Sequence, residues 1–242
     1  MKDTFNHTRV ILPDGTVTGP KDVTLFKDQV RFNQALSLFN SMSPVEKGKV
    51  IDLGCLEGGF AYLFAENGFD AEGVEVREQS VEKCEWLKAQ NPDLKLKYVL
   101  NDVRSYLSEL PDDYCDFCFN AGLMYHLDKP VEHINECARI TKKAIFLDTH
   151  YAPTPEQETT YRFNPSEVME NEGVKGRWYV EHLSEKVEDH KEFELSSIGN
   201  RKSFWVNINE IPRMMRIAGF KHVYSSCQPT EKQCRMTFIG IK

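Results

Sequence analysis

The sequence predicts an α/β fold in which helices cover both faces of a mostly parallel sheet. Apolar, strand-like runs alternate with helical patterns between residues 49 and 150, which is typical of parallel strands joined by helices. The first of these runs leads into a glycine turn at residues 54–59, and polar residues follow the later runs. A ligand site is therefore expected at the carboxyl edge of the sheet.

Periodicity and end signals define the individual elements. Gly68 and Gly219 lie where helices are predicted to end, Pro130 begins a helix, and Asn209 is expected to cap one. The predicted strands are 49–54, 71–76, 97–100, 115–120, 144–147, 221–225 and 235–241, and the predicted helices are 23–39, 58–67, 78–90, one from Pro130 and one after Asn209.

Composition limits the kind of protein. The 242 residues suffice for one large domain. Acidic residues outnumber basic ones, 37 to 30, for a formal charge of −7, and this balance argues against tight binding of long nucleic acid. No apolar run approaches the roughly 20 residues that cross a bilayer, and the first residues begin no signal peptide. A soluble, cytoplasmic protein without a membrane partner is expected.

Seven cysteines are scattered through predicted strands and helices. Their odd number suits reduced thiols better than a disulfide framework. Cys115 and Cys118 have the spacing of a redox or zinc pair, but they lie in one strand and would point to opposite faces, and no second pair has zinc spacing. Both are therefore expected to be buried thiols.

The turn after the first strand carries the pattern D-x-G-x-x-x-G, with Asp52, Gly54 and Gly58. Gly54 allows a tight chain reversal, while glycine at 58 and 59 is expected to let a ligand approach the helix backbone. A dinucleotide fingerprint starting at Gly54 would need glycine at 56, where Leu56 stands. Glu75 ends the next strand, where a carboxylate binds ribose hydroxyls in such folds.

This pattern resembles motif I of the class I S-adenosylmethionine-dependent methyltransferases. The resemblance implies a Rossmann-like sheet of seven strands, the last antiparallel, and S-adenosylmethionine as the cofactor. It also implies that Asp52 and the Gly54 backbone hold the methionine end and that Glu75 holds the ribose. Asp102 would then bind the adenine amino group, with Val103 beside the base. Simpler structural roles stay open, because Asp52 could cap the turn and Asp102 could cap a helix.

Residues 119–130 and 201–207 resemble segments of a branch that includes bacterial tRNA wobble-uridine carboxymethyl transferases and many sugar and natural-product O-methyltransferases. In the tRNA enzymes a tyrosine matching Tyr125 helps to hold the carboxylate of a modified cofactor. Their other carboxylate-binding cations have no match in this sequence. The expected reaction is therefore O-methylation of a small polar metabolite, such as a sugar, a sugar nucleotide or a biosynthetic intermediate, and tRNA modification is the alternative.

The chain is expected to form a single methyltransferase domain over residues 1–242. Its predicted parts are an N-terminal cap at 1–45, a cofactor-binding half at 46–150, a lid or substrate insertion after the fifth strand at 151–203, and a C-terminal helix and strands at 204–242. The insertion is longer than an ordinary connection and rich in charge, which suits a lid over the carboxyl edge of the sheet. A plain surface loop is the alternative for that segment.

Residues that follow the strands form most of the predicted site. Histidine can accept the proton of a hydroxyl acceptor near neutral pH. The catalytic candidates are His150 as first choice, His126 and Asp148. The substrate candidates are Tyr125, Trp178 and His182, the last also a third candidate base. The cofactor-binding candidates are Asp52, Gly54, Cys55, Gly58, Glu75, Val76, Asp102, Val103, Asn120 and Tyr125.

The residue types present also bear on metal binding, on a non-enzymatic role and on hydrolase chemistry. Asp148, His150 and a ligand from the insertion are residue types that bind a divalent metal, but no spacing is diagnostic, so no metal is predicted. A cofactor-binding fold that serves only as a regulatory partner is the non-enzymatic alternative. A nucleophilic hydrolase is excluded because the sequence has no G-x-S-x-G motif. A small-molecule substrate is the expected partner, and the oligomeric state stays open, a homodimer included.

Overall fold

A computed structural model describes residues 1–154, 165–191, 193–225 and 234–242. Two sheets and their flanking helices make up this part of the chain. The helices are α1 (Val30–Met42), α2 (Gly59–Glu66), α3 (Glu78–Ala89), α4 (Val103–Glu109), α5 (Pro130–Ile140), α6 (Val187–His190) and α7 (Glu210–Ile217). The strands are β1 (Lys49–Leu53), β2 (Asp70–Glu75), β3 (Leu96–Leu100), β4 (Cys115–Ala121), β5 (Thr141–His150), β6 (Met169–Asn171), β7 (Val174–Val180), β8 (Lys202–Val206), β9 (His222–Ser225) and β10 (Arg235–Ile241).

The larger sheet has seven strands in the order β3-β2-β1-β4-β5-β10-β9. Strand β1 pairs in parallel with β2 and β4, and β2 pairs in parallel with β3, whereas β10 runs antiparallel to β9. The strand order reverses between β1 and β4, and α/β sheets bind ligands at such a reversal, beyond the carboxyl ends of the strands. The predicted Rossmann-like fold with an antiparallel last strand is confirmed.

The chain divides into two compact units. The first consists of residues 1–119 and 140–144, and the second of residues 120–139 and 145–242. The first unit therefore carries the glycine turn and β1 to β3, whereas the second carries the smaller sheet and β9 and β10. Within the described residues, no helix is both long and apolar enough to span a membrane.

Phenylalanine side chains build the core of the first unit. Phe60, Leu63 and Phe64, predicted to face inward from α2, are all buried. Phe39 of α1 stacks on Phe117 of β4 with ring centroids 4.4 Å apart. Each fully buried large apolar side chain contributes about 1.5–3 kcal/mol by leaving water. This packing fixes α1 and α2 against the sheet and so fixes the start of α2, where the glycine turn ends.

The first helix begins later than the sequence predicted. Gln29 has an extended backbone, with φ −71° and ψ 130°, so α1 starts at Val30 rather than near residue 23. Before it, Phe26 is buried and its amide donates to the Arg9 carbonyl at 2.8 Å. This contact with a distant part of the chain replaces the first turns of the predicted helix.

A second, smaller sheet begins inside the predicted insertion at 151–203, and its last strand, β8, continues beyond that segment to Val206. It has the order β6-β7-β8, and both pairings are antiparallel. At the turn between β6 and β7, the Glu172 carboxylate accepts hydrogen bonds from the Val131 and Glu132 amides at 2.9 and 3.0 Å. A carboxylate at this position accepts hydrogen bonds from amides that have no partner within the helix, and its charge interacts favourably with the positive end of the α5 dipole.

Two further boundaries differ from the prediction. Strand β5 extends to His150, so Asp148 and His150 belong to the strand rather than following it. Helix α4 was not predicted as an element, and Asp102 caps it by accepting bonds from the Arg104 and Ser105 amides.

At the C-terminal helix, Asn209 occupies the N-cap position but makes no side-chain capping bond, which corrects its expected role. Pro130 begins its helix as predicted.

Glu57 ties the N-terminal segment to the glycine turn of the first unit. Its side chain is 1% exposed, and its carboxylate accepts hydrogen bonds from the amides of Asn6, His7 and Thr8 at 2.9, 3.0 and 2.7 Å. The Lys83 ammonium lies 2.7 Å from Oε1. One buried charge thus satisfies three backbone donors and one cation.

We expect Glu57→Gln to lower the free energy of unfolding by about 3 kcal/mol, because it removes a buried charge that several donors share. Chemical denaturation followed by circular dichroism measures this, and limited proteolysis should cut the variant first within residues 1–20. Glu109→Gln, at an exposed position of α4, is the matched control. A Glu57 variant as stable as this control would show that the carboxylate does not anchor the segment.

Candidate cofactor and acceptor sites

The turn between β1 and α2 has a strained but well-supported backbone. Gly54, Leu56 and Gly58 have φ values of +70°, +51° and +81°; for Leu56, such a value is unfavourable unless other contacts hold it. The Gly54 and Cys55 amides both donate to the Val74 carbonyl, at 2.9 and 3.0 Å. Gly54 therefore makes the tight reversal that the sequence predicted.

Glu75 holds the middle of this turn. Its Oε2 accepts a hydrogen bond from the Leu56 amide at 3.0 Å, and its Oε1 accepts one from the Arg77 amide at 3.0 Å. Burial, only partly offset by these bonds and by the Arg77 charge, raises the pKa of Glu75. A carboxylate oxygen accepts more than one hydrogen bond, so Glu75 has capacity left for ligand hydroxyls at the end of β2.

Gly58 and Gly59 are required by protein contacts. A Cβ at Gly58 would lie 2.6 Å from the Tyr98 hydroxyl, and a Cβ at Gly59 would lie 2.5 Å from a methyl carbon of Thr8. The Tyr98 hydroxyl donates to the Gly58 carbonyl at 2.7 Å. The expectation that both glycines leave room for a ligand is thus wrong, because the room is taken by Tyr98 and by the N-terminal segment.

The other cofactor candidates of the first unit lie at two places. Cys55 is buried in the turn, and Val76 follows Glu75 with partial exposure. Asp102 is 38% exposed at the start of α4, and Val103 is buried there. The helix-cap role considered for Asp102 is the one seen, and its carboxylate keeps further acceptor capacity beside that cap.

Aromatic rings form the main cluster of the second unit. Tyr125 lies 4.5 Å from His150 in an edge-to-face arrangement and 4.2 Å from His126, measured between ring centroids. His150 stacks on Trp205 at 4.9 Å, and Trp205 stacks on Tyr179 at 4.2 Å. Three predicted site residues, Tyr125, His126 and His150, are therefore brought together.

His150 is desolvated. Burial, together with the nearby Arg235 charge, lowers the pKa of its imidazole to about 4. Its Nδ1 lies 3.1 Å from the Cys234 carbonyl, and because a carbonyl only accepts, Nδ1 carries the proton. His150 is thus a neutral ring at physiological pH.

His126 has a carboxylate partner instead. Its Nδ1 lies 2.9 and 3.0 Å from the two oxygens of Glu181. His126 ends the short 3-10 helix at Met124–His126, and Glu181 directly follows β7. The small sheet therefore delivers this carboxylate to the segment that follows β4.

Asp148 and Asn120 are engaged by protein partners. Asp148 Oδ1 accepts a short hydrogen bond from the Arg235 guanidinium, and Oδ2 lies 3.4 Å from the Thr237 hydroxyl. The Asn120 amide nitrogen lies 2.6 Å from His133 Nε2. Among the residues that the structure describes, no group of three or more His, Cys, Asp or Glu side chains is placed to hold a metal ion.

The remaining substrate candidates lie apart from the aromatic cluster. Trp178 neighbours Tyr179 in β7, so the two side chains point to opposite faces of the small sheet, and the Trp178 ring packs edge-on against Phe204 at 5.0 Å. His182 is buried and stacks on His190 at 3.8 Å. The structure therefore does not group Trp178 or His182 with Tyr125.

Comparison with known proteins agrees with this fold. A family model described as a methyltransferase domain matches residues 51–146, which include the glycine turn, Glu75 and the ends of β3 and β4. Residues 51–146 therefore form a methyltransferase domain. S-adenosylmethionine is the methyl donor that such a domain implies.

Several curated and solved proteins are similar to this chain. The O-antigen chain terminator bifunctional methyltransferase/kinase WbdD of Escherichia coli is 23% identical over 78 residues, 32% of this chain and 11% of that protein. A ubiquinone biosynthesis O-methyltransferase of Aliivibrio fischeri is 29% identical over 103 residues, 42% of this chain and 43% of that protein. The matched region thus spans less than half of each curated relative.

Two solved structures show the same fold at low identity. The N-terminal domain of EvdMO1 with SAH bound has a TM-score of 0.69 and 20% identity, covering 88% of this chain and 82% of that one. The magnesium protoporphyrin IX methyltransferase ChlM from Synechocystis PCC 6803, also with SAH bound, has a TM-score of 0.58 and 11% identity, covering 87% and 81%.

The first unit fits a cationic cofactor at Asp52. Asp52 is 2% exposed, and its Oδ2 has no hydrogen-bond donor among the described residues. Burial raises the pKa of Asp52 to about 7, although the Ala61 amide and the Arg31 charge favour its ionised form. The sulfonium and ammonium of S-adenosylmethionine are cations, and a cation near this carboxylate offsets its desolvation.

Two residues of functional interest could not be identified from the sequence. Arg31 lies on α1, and its guanidinium packs over the Phe60 ring at 5.1 Å; its charge acts on Asp52. Glu181 pairs with His126 across 55 positions of sequence. Neither residue stands in a motif, and both contacts depend on tertiary packing.

We expect Asp52→Asn to change how stability depends on pH. Because the folded-state pKa of about 7 lies above the ordinary value of 3.8, the ligand-free wild type loses stability as pH rises from about 4 to about 7. The variant lacks this loss, so it should gain stability relative to wild type between pH 5 and pH 8, by about 1–3 kcal/mol. Urea unfolding of both proteins at pH 5 and pH 8 measures this. A difference in unfolding free energy between variant and wild type that is the same at both pH values would show that Asp52 is already ionised at pH 5.

Proposed function

We propose that this methyltransferase transfers a methyl group from S-adenosylmethionine to a hydroxyl oxygen of a small polar metabolite, with a sugar-like compound as the leading class. The observation that carries this proposal is the aromatic cluster of Tyr125, His150, Trp205 and Tyr179 beside His126. Tyr125, His126 and His150 are partly exposed, and Trp205 and Tyr179 are buried. Exposed ring faces bind the apolar side of a small ligand, and a few polar ring atoms orient its hydroxyls.

The names of similar proteins support the same class of acceptor. The N-terminal domain of EvdMO1 was also crystallised in the presence of SAH and D-fucose, and the Aliivibrio fischeri relative is named as an O-methyltransferase of ubiquinone biosynthesis. The formal charge of −7 supports a small molecule over tRNA, because RNA binding usually relies on a basic surface.

The cofactor roles proposed for the first unit follow from charge. The sulfonium of S-adenosylmethionine supplies a methyl group that is activated for displacement. Asp52 provides a buried negative charge for the cationic end, Glu75 accepts hydrogen bonds from the ribose, Asp102 accepts one from the adenine amino group, and Arg31 pairs with the cofactor carboxylate. Fixing a donor in this way can contribute up to about 7–11 kcal/mol when an acceptor is equally well aligned.

Two ligands should separate the roles of Arg31 and Glu75. Both ligands contain adenine and ribose. S-adenosylhomocysteine also has an amino-acid end, which 5′-methylthioadenosine lacks. We expect Glu75→Gln to weaken both ligands about tenfold or more, because a charged acceptor is lost. Arg31→Gln should weaken only S-adenosylhomocysteine, by about tenfold.

Isothermal titration calorimetry measures these affinities, with thermal melts to check folding. Arg139→Gln, which removes a half-exposed partner of Glu136 on α5, is the control and should bind both ligands as wild type does. Equal loss of both ligands in Arg31→Gln would show that Arg31 supports the fold of the turn rather than the carboxylate.

The acceptor class is tested by incubating the protein with S-adenosylmethionine and panels of sugars, sugar nucleotides, other hydroxylated metabolites and tRNA. We expect S-adenosylhomocysteine to form with a hydroxyl-bearing small molecule, and mass spectrometry with methyl NMR to place the new group on oxygen. Turnover on tRNA alone would establish the alternative function, and binding without any turnover would support a regulatory role.

A further inference from the structure

We propose that His126 Nε2 takes the proton of the methylated hydroxyl and that Glu181 is its positioning residue. The inference rests on the proposed O-methylation and adds the proton acceptor to it. It also replaces the sequence-based preference for His150 as the base.

The geometry of the pair fixes which nitrogen can act. Glu181 places both carboxylate oxygens within 3.0 Å of His126 Nδ1. A carboxylate only accepts hydrogen bonds, so Nδ1 carries the ring proton and Nε2 keeps its lone pair. The His126 side chain is 19% exposed, which leaves part of the ring open to a ligand.

Glu181 is itself held in place. Its side chain is 9% exposed, and its Oε2 accepts a hydrogen bond from the Ser197 amide at 2.7 Å. Burial alone would raise the pKa of Glu181, but the bonds from His126, Ser197 and Ser203 outweigh it and lower the pKa. The carboxylate is therefore charged, and it balances the positive charge that His126 acquires on taking a proton.

The surroundings of the other buried histidines suit a base less well. His150 donates Nδ1–H to a backbone carbonyl, and its low pKa makes it a weak proton acceptor near neutral pH. His190 Nδ1 and Nε2 both lie 2.9 Å from backbone carbonyls, so neither nitrogen has a lone pair to offer while those bonds last. His133 and His182 are only 2% and 4% exposed, so their rings are closed to an acceptor.

Bonds, electrons and the proton are all accounted for in the proposed methyl transfer. A carbon–oxygen bond forms as the carbon–sulfur bond breaks, with the electron pair staying on sulfur as a neutral thioether. The hydroxyl proton passes to His126 Nε2, and the imidazolium beside Glu181 later returns it to solvent. A positioned base of this kind typically contributes about 10²–10⁴-fold to the rate.

Several groups share the environment of His126. The Tyr125 ring lies 4.2 Å away between centroids, His150 interacts with the His126 charge, and the Arg235 guanidinium lies over the Tyr125 ring at 5.8 Å. The Asn200 amide donates to the His126 carbonyl. Glu181 is the anionic group in hydrogen-bond contact with His126. Its replacement should therefore affect the His126 ring more than replacement of any of the other groups.

The first measurement needs no substrate. Nitrogen-15 NMR of imidazole-labelled wild type should show His126 as the Nδ1–H tautomer, and Glu181→Gln should weaken that preference. His126→Asn assigns the signals. A wild-type His126 that is mainly the Nε2–H tautomer would overturn the proposal, whether or not an acceptor is known.

The second measurement uses the acceptor found above. We expect His126→Asn and Glu181→Gln to lower kcat about 100-fold while S-adenosylhomocysteine affinity stays within twofold of wild type. Glu181→Asp, which keeps the carboxylate, should restore part of the lost rate, and this rescue separates a positioning role from a purely structural one.

Glu185→Gln, at an exposed position four residues along that pairs with Arg201, is the control and should behave as wild type. Wild-type rates in Glu181→Gln would overturn the proposal. Absence of turnover in wild type on every hydroxyl acceptor would instead count against O-methylation itself, and the tautomer measurement would still decide the state of the pair.

Discussion

The hydrogen bond from the Leu56 amide to the Glu75 carboxylate is the constraint on which the proposed cofactor site depends. It holds a leucine at positive φ, a conformation that a non-glycine residue does not keep without support. The same carboxylate ends β2 and is buried. The shape of the turn and the position of the proposed ribose acceptor are therefore set by one contact.

The N-terminal segment contributes to the same turn from outside the motif. Glu57 binds three consecutive amides at residues 6–8, and Thr8 fills the space beside Gly59. Arg31, on the helix that follows, adds a cation near Asp52. Residues of the predicted N-terminal cap therefore contact the turn directly.

Local signals were enough to predict β1, the turn and α2, because each depends on neighbouring residues: an apolar run, a glycine that reverses the chain, and a helix ended by Gly68. The reason for Gly58 was not predictable, since it lies in the contact with Tyr98, 40 residues away. The small sheet was missed because its strands lie in a charged segment, and Glu181 is brought to His126 only through that sheet. The histidines at 126 and 150 were found, but their different partners, a carboxylate and a carbonyl, follow from tertiary structure alone.

Hydrogen–deuterium exchange of the protein with and without S-adenosylhomocysteine tests the central claim most directly, since it locates binding along the chain. The account predicts slower exchange for amides of the turn at residues 54–60 and of residues 75–77, where the cofactor would rest on backbone that Glu75 already orders. Saturating ligand that leaves these amides unchanged while protecting another part of the chain would contradict the assignment of the site.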